Sequence, residues 1–273
     1  MSLIEVNGAA LYYERRGNGP AMLLVSGATG DAGHWTEVAE VLSSKYTVVT
    51  YDRRGNSRSP RPSEWTATTI DEQADDAEAL ISGLHLASAI VLGTSAAAGI
   101  VTSLAIRHPS VLRGVVFHEP VFQSGVTNAA AFRARRLAVI EEGMARGGLR
   151  GAAEAFLRSV AGDDVYDALD PALRERLLAN ADVLFDIELA PFVAYEPTPE
   201  DLAGMRVSRV VTAGAANRDP TAPGHWRYES AQWLAARLMT DLVELPGGHM
   251  AYLGDPHAFA EALSPLLRAP PDS

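Results

Sequence analysis

Leu86-Ala87-Ser88-Ala89-Ile90-Val91-Leu92-Gly93-Thr94-Ser95-Ala96-Ala97-Ala98-Gly99-Ile100-Val101-Thr102-Ser103-Leu104-Ala105-Ile106 runs without a single charge. Its length would allow a membrane span, but its interior does not read as one. Ala87–Leu92 is a short apolar strand, and Ala96–Arg107 is an Ala-rich helix stopped by His108-Pro109. Thr94, Ser95, Thr102 and Ser103 interrupt the run, and Gly93 and Gly99 punctuate it. A buried strand feeding a buried helix explains this without a bilayer. Ser95 falls at the handover, in Gly93-Thr94-Ser95-Ala96-Ala97. A Ser there is held on a tight turn, its Oγ raised above the sheet and a helix N-terminus beneath it. Small residues two before and two after let the backbones approach; Gly93 and Ala97 qualify, although Gly is usual at the second place. Ser95 could equally be a plain helix N-cap, so the turn alone decides nothing.

Outward from this stretch the pattern repeats. Ala9–Glu14 follows the turn Asn7-Gly8 as a hairpin strand. Ala21–Val25 and Tyr46–Tyr51 are short apolar strands, with a helical Trp35–Leu42 between them. Ile70–Leu84 is an acidic amphipathic helix with Ala74, Ala77, Leu80 and Ile81 on one face. Gly114–Phe117 is the next strand. From Gln123 to Glu196 only helical segments are found (Asn128–Ala145, Gly151–Val160, Pro171–Leu178). Alternation then resumes with strand Val207–Thr212, helix His225–Leu238, strand Asp241–Leu245 and helix Asp255–Leu267, before a Pro-rich tail, Arg268–Ser273, expected to fray. The expected fold is α/β, a mostly parallel central sheet with helices on both faces and a helical cap insertion. Its divisions are 1–122 (first part of the core), 123–197 (cap or lid) and 198–273 (second part of the core).

Composition narrows the chemistry. The 273 residues carry a net charge of −11, which argues against nucleic acid or an anionic membrane as partner. No cysteine is present, excluding disulfides, thiolate metal sites and a Cys nucleophile. Lys45 is the sole lysine, so Schiff-base chemistry has almost no candidate. No His-Glu-x-x-His occurs, and the loop Gly27–Gly30 lacks the Lys of a phosphate loop. No cofactor and no metal are expected. Met1-Ser2-Leu3-Ile4-Glu5 has neither a basic start nor an apolar run, so no secretory signal is expected and the location is expected to be cytoplasmic.

A base for Ser95 is available in His249, on the glycine loop Leu245-Pro246-Gly247-Gly248-His249 after the last strand. The other histidines lack this placement. His85, His108 and His257 fall in or at the ends of helices, His225 starts one, and His34 is a candidate for lining a pocket. An imidazole base needs a carboxylate to fix its tautomer. Glu119, in Val115-Val116-Phe117-His118-Glu119-Pro120, lies at a strand's carboxyl end where Pro120 forces a turn. Asp219 is the alternative, two residues beyond Asn217 in the loop where a carboxylate would be expected. Placement favours Glu119 and leaves Asp219 open. The oxyanion would meet the N–H groups of Ala96 and of Ala28, the latter in Ser26-Gly27-Ala28-Thr29-Gly30.

With the loop Leu24-Val25-Ser26-Gly27, the order Ser…acid…His and the segment Tyr51-Asp52-Arg53-Arg54-Gly55-Asn56-Ser57-Arg58-Ser59, the chain resembles the α/β-hydrolase superfamily along nearly its whole length. More narrowly it is similar to the branch containing zearalenone lactonases and related bacterial serine hydrolases. That resemblance implies Glu119 as the acid, through His118-Glu119-Pro120, and His249 through Pro246-Gly247-Gly248-His249. It does not carry over a substrate, since Gln123 to Glu196 has no clear match.

The expected function is a cofactor-independent serine hydrolase of a carboxylic ester or lactone, with Ser95, His249 and Glu119 as catalytic residues. Its expected partner is a small apolar ester or lactone, besides at most a second copy of the chain in a homodimer. His34, Trp35, Phe185, Phe192 and Met250 are the candidates for lining the substrate site. Carbon–carbon bond hydrolysis and cofactor-free haloperoxidation use the same triad and stay open. A non-catalytic small-molecule binder on this fold is the alternative from another class. Activity is expected to rise with pH through the ordinary imidazole value of about 6.5.

Overall fold

The computed structural model describes residues 2–267; the tail expected to fray, 268–273, lies outside the described residues. Asn7-Gly8 turns the chain between β1 (Leu3–Val6) and β2 (Ala9–Arg16), both with φ above zero. This hairpin is the antiparallel edge of an eight-stranded sheet of order β1-β2-β4-β3-β5-β6-β7-β8. The remaining strands are β3 (Ala21–Val25), β4 (Thr47–Tyr51), β5 (Ala89–Thr94), β6 (Leu112–His118), β7 (Arg209–Gly214) and β8 (Leu242–Leu245), all mutually parallel. Every residue of β3, β4 and β5 is buried, which is why these strands read as continuous apolar runs rather than alternating ones.

The helices cover both faces. They are α1 (Thr36–Leu42), α2 (Ile70–Gly83) and α3 (Ala97–Arg107), then α4 (Ala129–Ala161), α5 (Asp163–Asp167), α6 (Pro171–Ala179), α7 (Leu189–Ala194) and α8 (Pro199–Gly204), and finally α9 (His225–Arg237), α10 (Ala251–Gly254) and α11 (Pro256–Leu263). Leu23 and Val25 of β3 face a core shared with α2, α3 and α9, whereas Met22 and Leu24 face one shared with α1 and α11. Burying each such Leu is worth about 1.5–3 kcal/mol. Side chains cap several starts: Thr69 accepts from Glu72 N, Asp170 from Leu173 N and Asp255 from Ala258 N. No described helix is long and apolar enough to cross a membrane; the uncharged stretch is β5 and α3.

Between β6 and β7 the described elements are all helical. The two segments expected at 128–145 and 151–160 are the arms of α4, separated where Gly147 (φ −160°) and Gly148 (φ +61°) leave helical geometry. Val183–Glu188 forms a π-helical turn that leads straight into α7. The order of β3 and β5 reverses the direction of sheet growth, so the loops leaving their carboxyl ends part and leave a crevice.

Candidate active site

Ser95 stands at the carboxyl end of β5, one residue beyond the strand, with φ +56°. A non-glycine residue in this left-handed region stores about 1–3 kcal/mol of strain. Its N–H donates to His118 O at 3.0 Å, tying the turn to β6. The small residues have the expected reason. A Cβ on Gly93 would lie 2.5 Å from Val101 Cγ2 and 2.7 Å from Ala97 O, so strand and helix can meet only here without one. On the facing loop, a Cβ on Gly27 would lie 2.9 Å from Thr94 O and 3.0 Å from Ser95 Cβ. Ala28 and Ala96 therefore flank Ser95, and all three line one cavity of about 550 Å³. Neither alanine's N–H is engaged in a backbone hydrogen bond among the described residues.

Glu119, immediately after β6, is fully buried and takes φ +44°, which turns its carboxylate toward the neighbouring strand end. One oxygen, Oε1, accepts from Gly214 N at 2.8 Å and from Asn217 Nδ2 at 2.7 Å. The other, Oε2, lies 2.7 Å from His249 Nδ1. His249 is 6% exposed and lines the cavity with Ser95. No hydrogen bond joins Ser95 Oγ to the ring; the two residues meet across the space they share.

Burial alone would raise the Glu119 carboxyl, but the hydrogen bond and charge of His249 outweigh it and hold the group down at about 2. His249 is pulled down to about 4, first by burial and then by the Arg227 charge, with Glu119 acting in the opposite direction. The resting state is thus an ionised Glu119 beside a neutral imidazole.

Asp219, the competing acid, is exposed and spends Oδ1 on Thr221 N and Thr221 Oγ1, each at 2.8 Å. It is a turn carboxylate and does not reach His249. Asn217, which had figured only as the wrong residue for an acid, instead holds Glu119.

Of the expected substrate-lining residues, the structure brings Phe192 to the cavity and not the other four. Trp35 is completely buried, stacked on Tyr252 at 4.5 Å and packed near Phe259, because the 3₁₀ turn Ala32–Trp35 drives it into the core under α1. His34 is buried beside Tyr252 and faces a separate cleft with Leu173 and Arg176; burial lowers its imidazole to about 4. Met250 follows His249 into the same core as Trp35. Phe185 sits on the π-helical turn with its ring against the cluster of Leu157, Tyr166 and Leu177, and its neighbour Leu184 faces the cavity instead.

The residues between β6 and β7 also grip the loop after β3. Arg53, buried, donates to Ser26 O at 3.0 Å and Gly27 O at 2.8 Å and forms a two-pronged ion pair with Glu188 of the π turn. Asn180 Nδ2 donates to Thr29 O at 2.8 Å, and Arg176 Nε lies 2.7 Å from Asp31 Oδ2. The peptide that carries the Ala28 N–H is thus fixed from above by α6 and the π turn. Sequence spacing gave no hint of the ties made by Arg176, Asn180 and Glu188, since each partner lies more than a hundred residues away. Among the described residues no three of His, Asp or Glu converge as a metal would require.

A strained Ser, a buried Glu–His pair and two free N–H groups around one cavity can support nucleophilic attack on a carbonyl. Comparison with known proteins agrees with the architecture. Residues 22–262 match the model of the alpha/beta hydrolase family. A Bacillus subtilis protein named uncharacterized hydrolase YraK is 31% identical over 269 residues, 97% of this chain and 94% of that protein. A zearalenone hydrolase of Cladophialophora bantiana is 28% identical over 95% of this chain and 93% of its own length. Among solved structures, the enol-lactonase of Burkholderia xenovorans superposes with a TM-score of 0.71 at 22% identity, covering 97% of this chain and 99% of that one.

Proposed function

The chain belongs to the alpha/beta hydrolase family, and from that premise we propose that it is a serine hydrolase that cleaves a carboxylic ester or lactone through an acyl-enzyme. Ser95 Oγ attacks the carbonyl carbon while His249 Nε2 takes its proton. The carbonyl oxygen becomes an oxyanion received by the N–H groups of Ala28 and Ala96. The carbon–oxygen bond then breaks, and His249 returns the proton to the departing alkoxide. In a lactone that alkoxide stays attached to the acyl group. Water repeats the sequence: His249 takes its proton, hydroxide adds to the acyl carbon, and Ser95 leaves with the proton back on Oγ. Glu119 holds the imidazole through Nδ1 and stabilises the imidazolium formed twice per turnover.

The observation that carries this proposal is the 2.7 Å contact of His249 Nδ1 with a buried carboxylate, which leaves Nε2 as the basic nitrogen in the cavity Ser95 lines. The ester and lactone class is supported by the names of relatives and by the apolar walls, to which Leu184, Phe192 and Val193 contribute. A panel of acyl esters, small lactones and macrolactones, assayed with wild type and Ser95→Ala, tests it. Turnover in wild type with about a thousandth or less in the variant is expected. Undiminished turnover in Ser95→Ala would place the nucleophile elsewhere.

A further inference from the structure

Arg227, from the first turn of α9, lines the Ser95 cavity and is only 6% exposed. Its Nε has no hydrogen-bond partner. Among the described residues it forms no ion pair with a carboxylate, whereas the buried or half-buried Arg53, Arg54, Arg58 and Arg176 all do. Burying a guanidinium with unsatisfied donors is costly unless something occupies them. Its place in the helix adds to that cost. Arg227 is the third residue of α9 after the N-cap Gly224, where the positive end of the helix dipole disfavours a cation.

Packing explains where this guanidinium lies but not what its edge does. Its flat face stacks over Trp226 at 4.4 Å, which leaves the in-plane N–H fork free. A Cβ on Gly224 would collide with Asn217 Oδ1 and lie 3.1 Å from Arg227 Nη1. The guanidinium is thus folded back over the start of its own helix, beside the residue that holds Glu119. Ionised Glu119 acts on Arg227 only through space, because its oxygens are taken by Gly214, Asn217 and His249. Glu229, the one carboxylate lining the cavity among the described residues, is tied to Thr127. Arg135, exposed on α4, lines the same cavity and opposes Arg227 with like charge. Burial, and to a smaller degree Arg135, bring Arg227 down to about 10. An anion on the free fork would offset both.

We propose that Arg227 anchors a free carboxylate of the substrate, so that the ester or lactone attacked by Ser95 carries a separate acidic group. The proposal rests on the serine-hydrolase reading of the same cavity and sharpens its substrate class. A carboxylate matches the planar fork in two-pronged geometry. A neutral carbonyl or hydroxyl would satisfy the donors but leave the buried charge uncompensated. One guanidinium near an ionised Glu119 suits a single negative charge better than a dianionic phosphate. The charge of Arg227 is felt at His249 as well as at Glu119, so the acidic group lies on the general base's side of the cavity.

The test uses two readouts. Binding is measured by calorimetry on the folded Ser95→Ala protein, which needs no turnover, with monomethyl esters of dicarboxylic acids of increasing length, each against its dimethyl ester. At least one monoester should bind about tenfold or more tightly than its neutral partner, the effect of one charge-assisted hydrogen bond. That advantage should shrink about tenfold when Arg227→Met is added, and Arg227→Lys, which keeps the charge without the fork, should keep part of it. Equal affinity for the charged and neutral members at every length, or an advantage untouched by Arg227→Met, would overturn the anchor. If Arg227→Met does not fold, a crystal structure of Ser95→Ala with the tightest monoester decides. A carboxylate bonded to the Arg227 fork supports the anchor, and one bonded elsewhere overturns it. Turnover by wild type is scored separately: hydrolysis of neutral esters without any preference for the monoesters would leave the hydrolase reading standing and the anchor refuted. Preferential binding without turnover would do the reverse.

Discussion

Glu119 combines burial, a left-handed backbone and three hydrogen-bond contacts in one carboxylate. Glu119→Gln keeps the shape and removes the charge, so the imidazole loses its tautomer preference and the imidazolium its counter-ion. A fall in kcat of about ten thousandfold is expected, the size of the effect in the serine-protease case. Asp219→Asn, which touches only the Thr221 turn, should leave most activity. Steady-state kinetics on the two purified variants checks the ranking, and the reverse order would move the acid to the loop after β7. The pH profile belongs to the same scale. As the proposed base, His249 works only when neutral, and its pKa is lowered to about 4 by burial, then by Arg227. The neutral fraction grows as pH rises through that value, so the ascending limb of kcat/KM should lie well below the ordinary imidazole value of about 6.5. Glu119, at about 2, stays ionised throughout. A limb centred near the ordinary value, as the sequence alone suggests, would mean that the ring is solvated in the free enzyme.

At the scale of elements, the π-helical turn is joined to the loop after β3 by Arg53 and Glu188. Glu188→Gln leaves the Arg53 guanidinium buried without its counter-charge, which typically costs about 3–5 kcal/mol. Chemical denaturation should register that loss. Because Arg53 also donates to Ser26 O and Gly27 O, kcat should fall as well. Replacing both partners by Met and Leu should recover part of the stability but not kcat, since the grip on Gly27 is still missing. Recovery of both would show that the pair only fills space. The same turn separates Phe185 from Phe192. Phe192→Ala should alter relative kcat/KM across esters of different chain length, whereas Phe185→Ala, which trims a half-buried ring, should lower stability and change all substrates alike. Equal selectivity changes in the two would contradict the orientation of the turn.

Across the whole molecule, the parts that could be seen in the sequence are those fixed by local chemistry. β5 and α3 declare themselves because a strand buried on both faces must be continuously apolar and a close strand–helix turn must be built of small residues. Ser95, Glu119 and His249 share the mark of residues just beyond strand carboxyl ends with Gly, Ala or Pro beside them, which is why they are legible and why Asp219 can compete. Trp35, His34, Met250 and Phe185 were misplaced for a different reason. Each lies near a cavity-lining residue in sequence, but a 3₁₀ turn, a loop reversal or a π turn rotates its side chain to the other side. The contact of Phe132 with Trp226 was invisible because it joins α4 to α9, which no local pattern encodes. Membership of the family accounts for the scaffold; the claim that Ser95 does the chemistry is tested most directly by covalent capture. Wild type and Ser95→Ala, both confirmed folded, are treated with a fluorophosphonate and analysed by intact-protein and peptide mass spectrometry. One adduct on the peptide containing Ser95, accompanied by loss of ester turnover and absent from the variant, is the expected result. Turnover of an ester by wild type with no adduct at Ser95, or an unchanged adduct in Ser95→Ala, would contradict it.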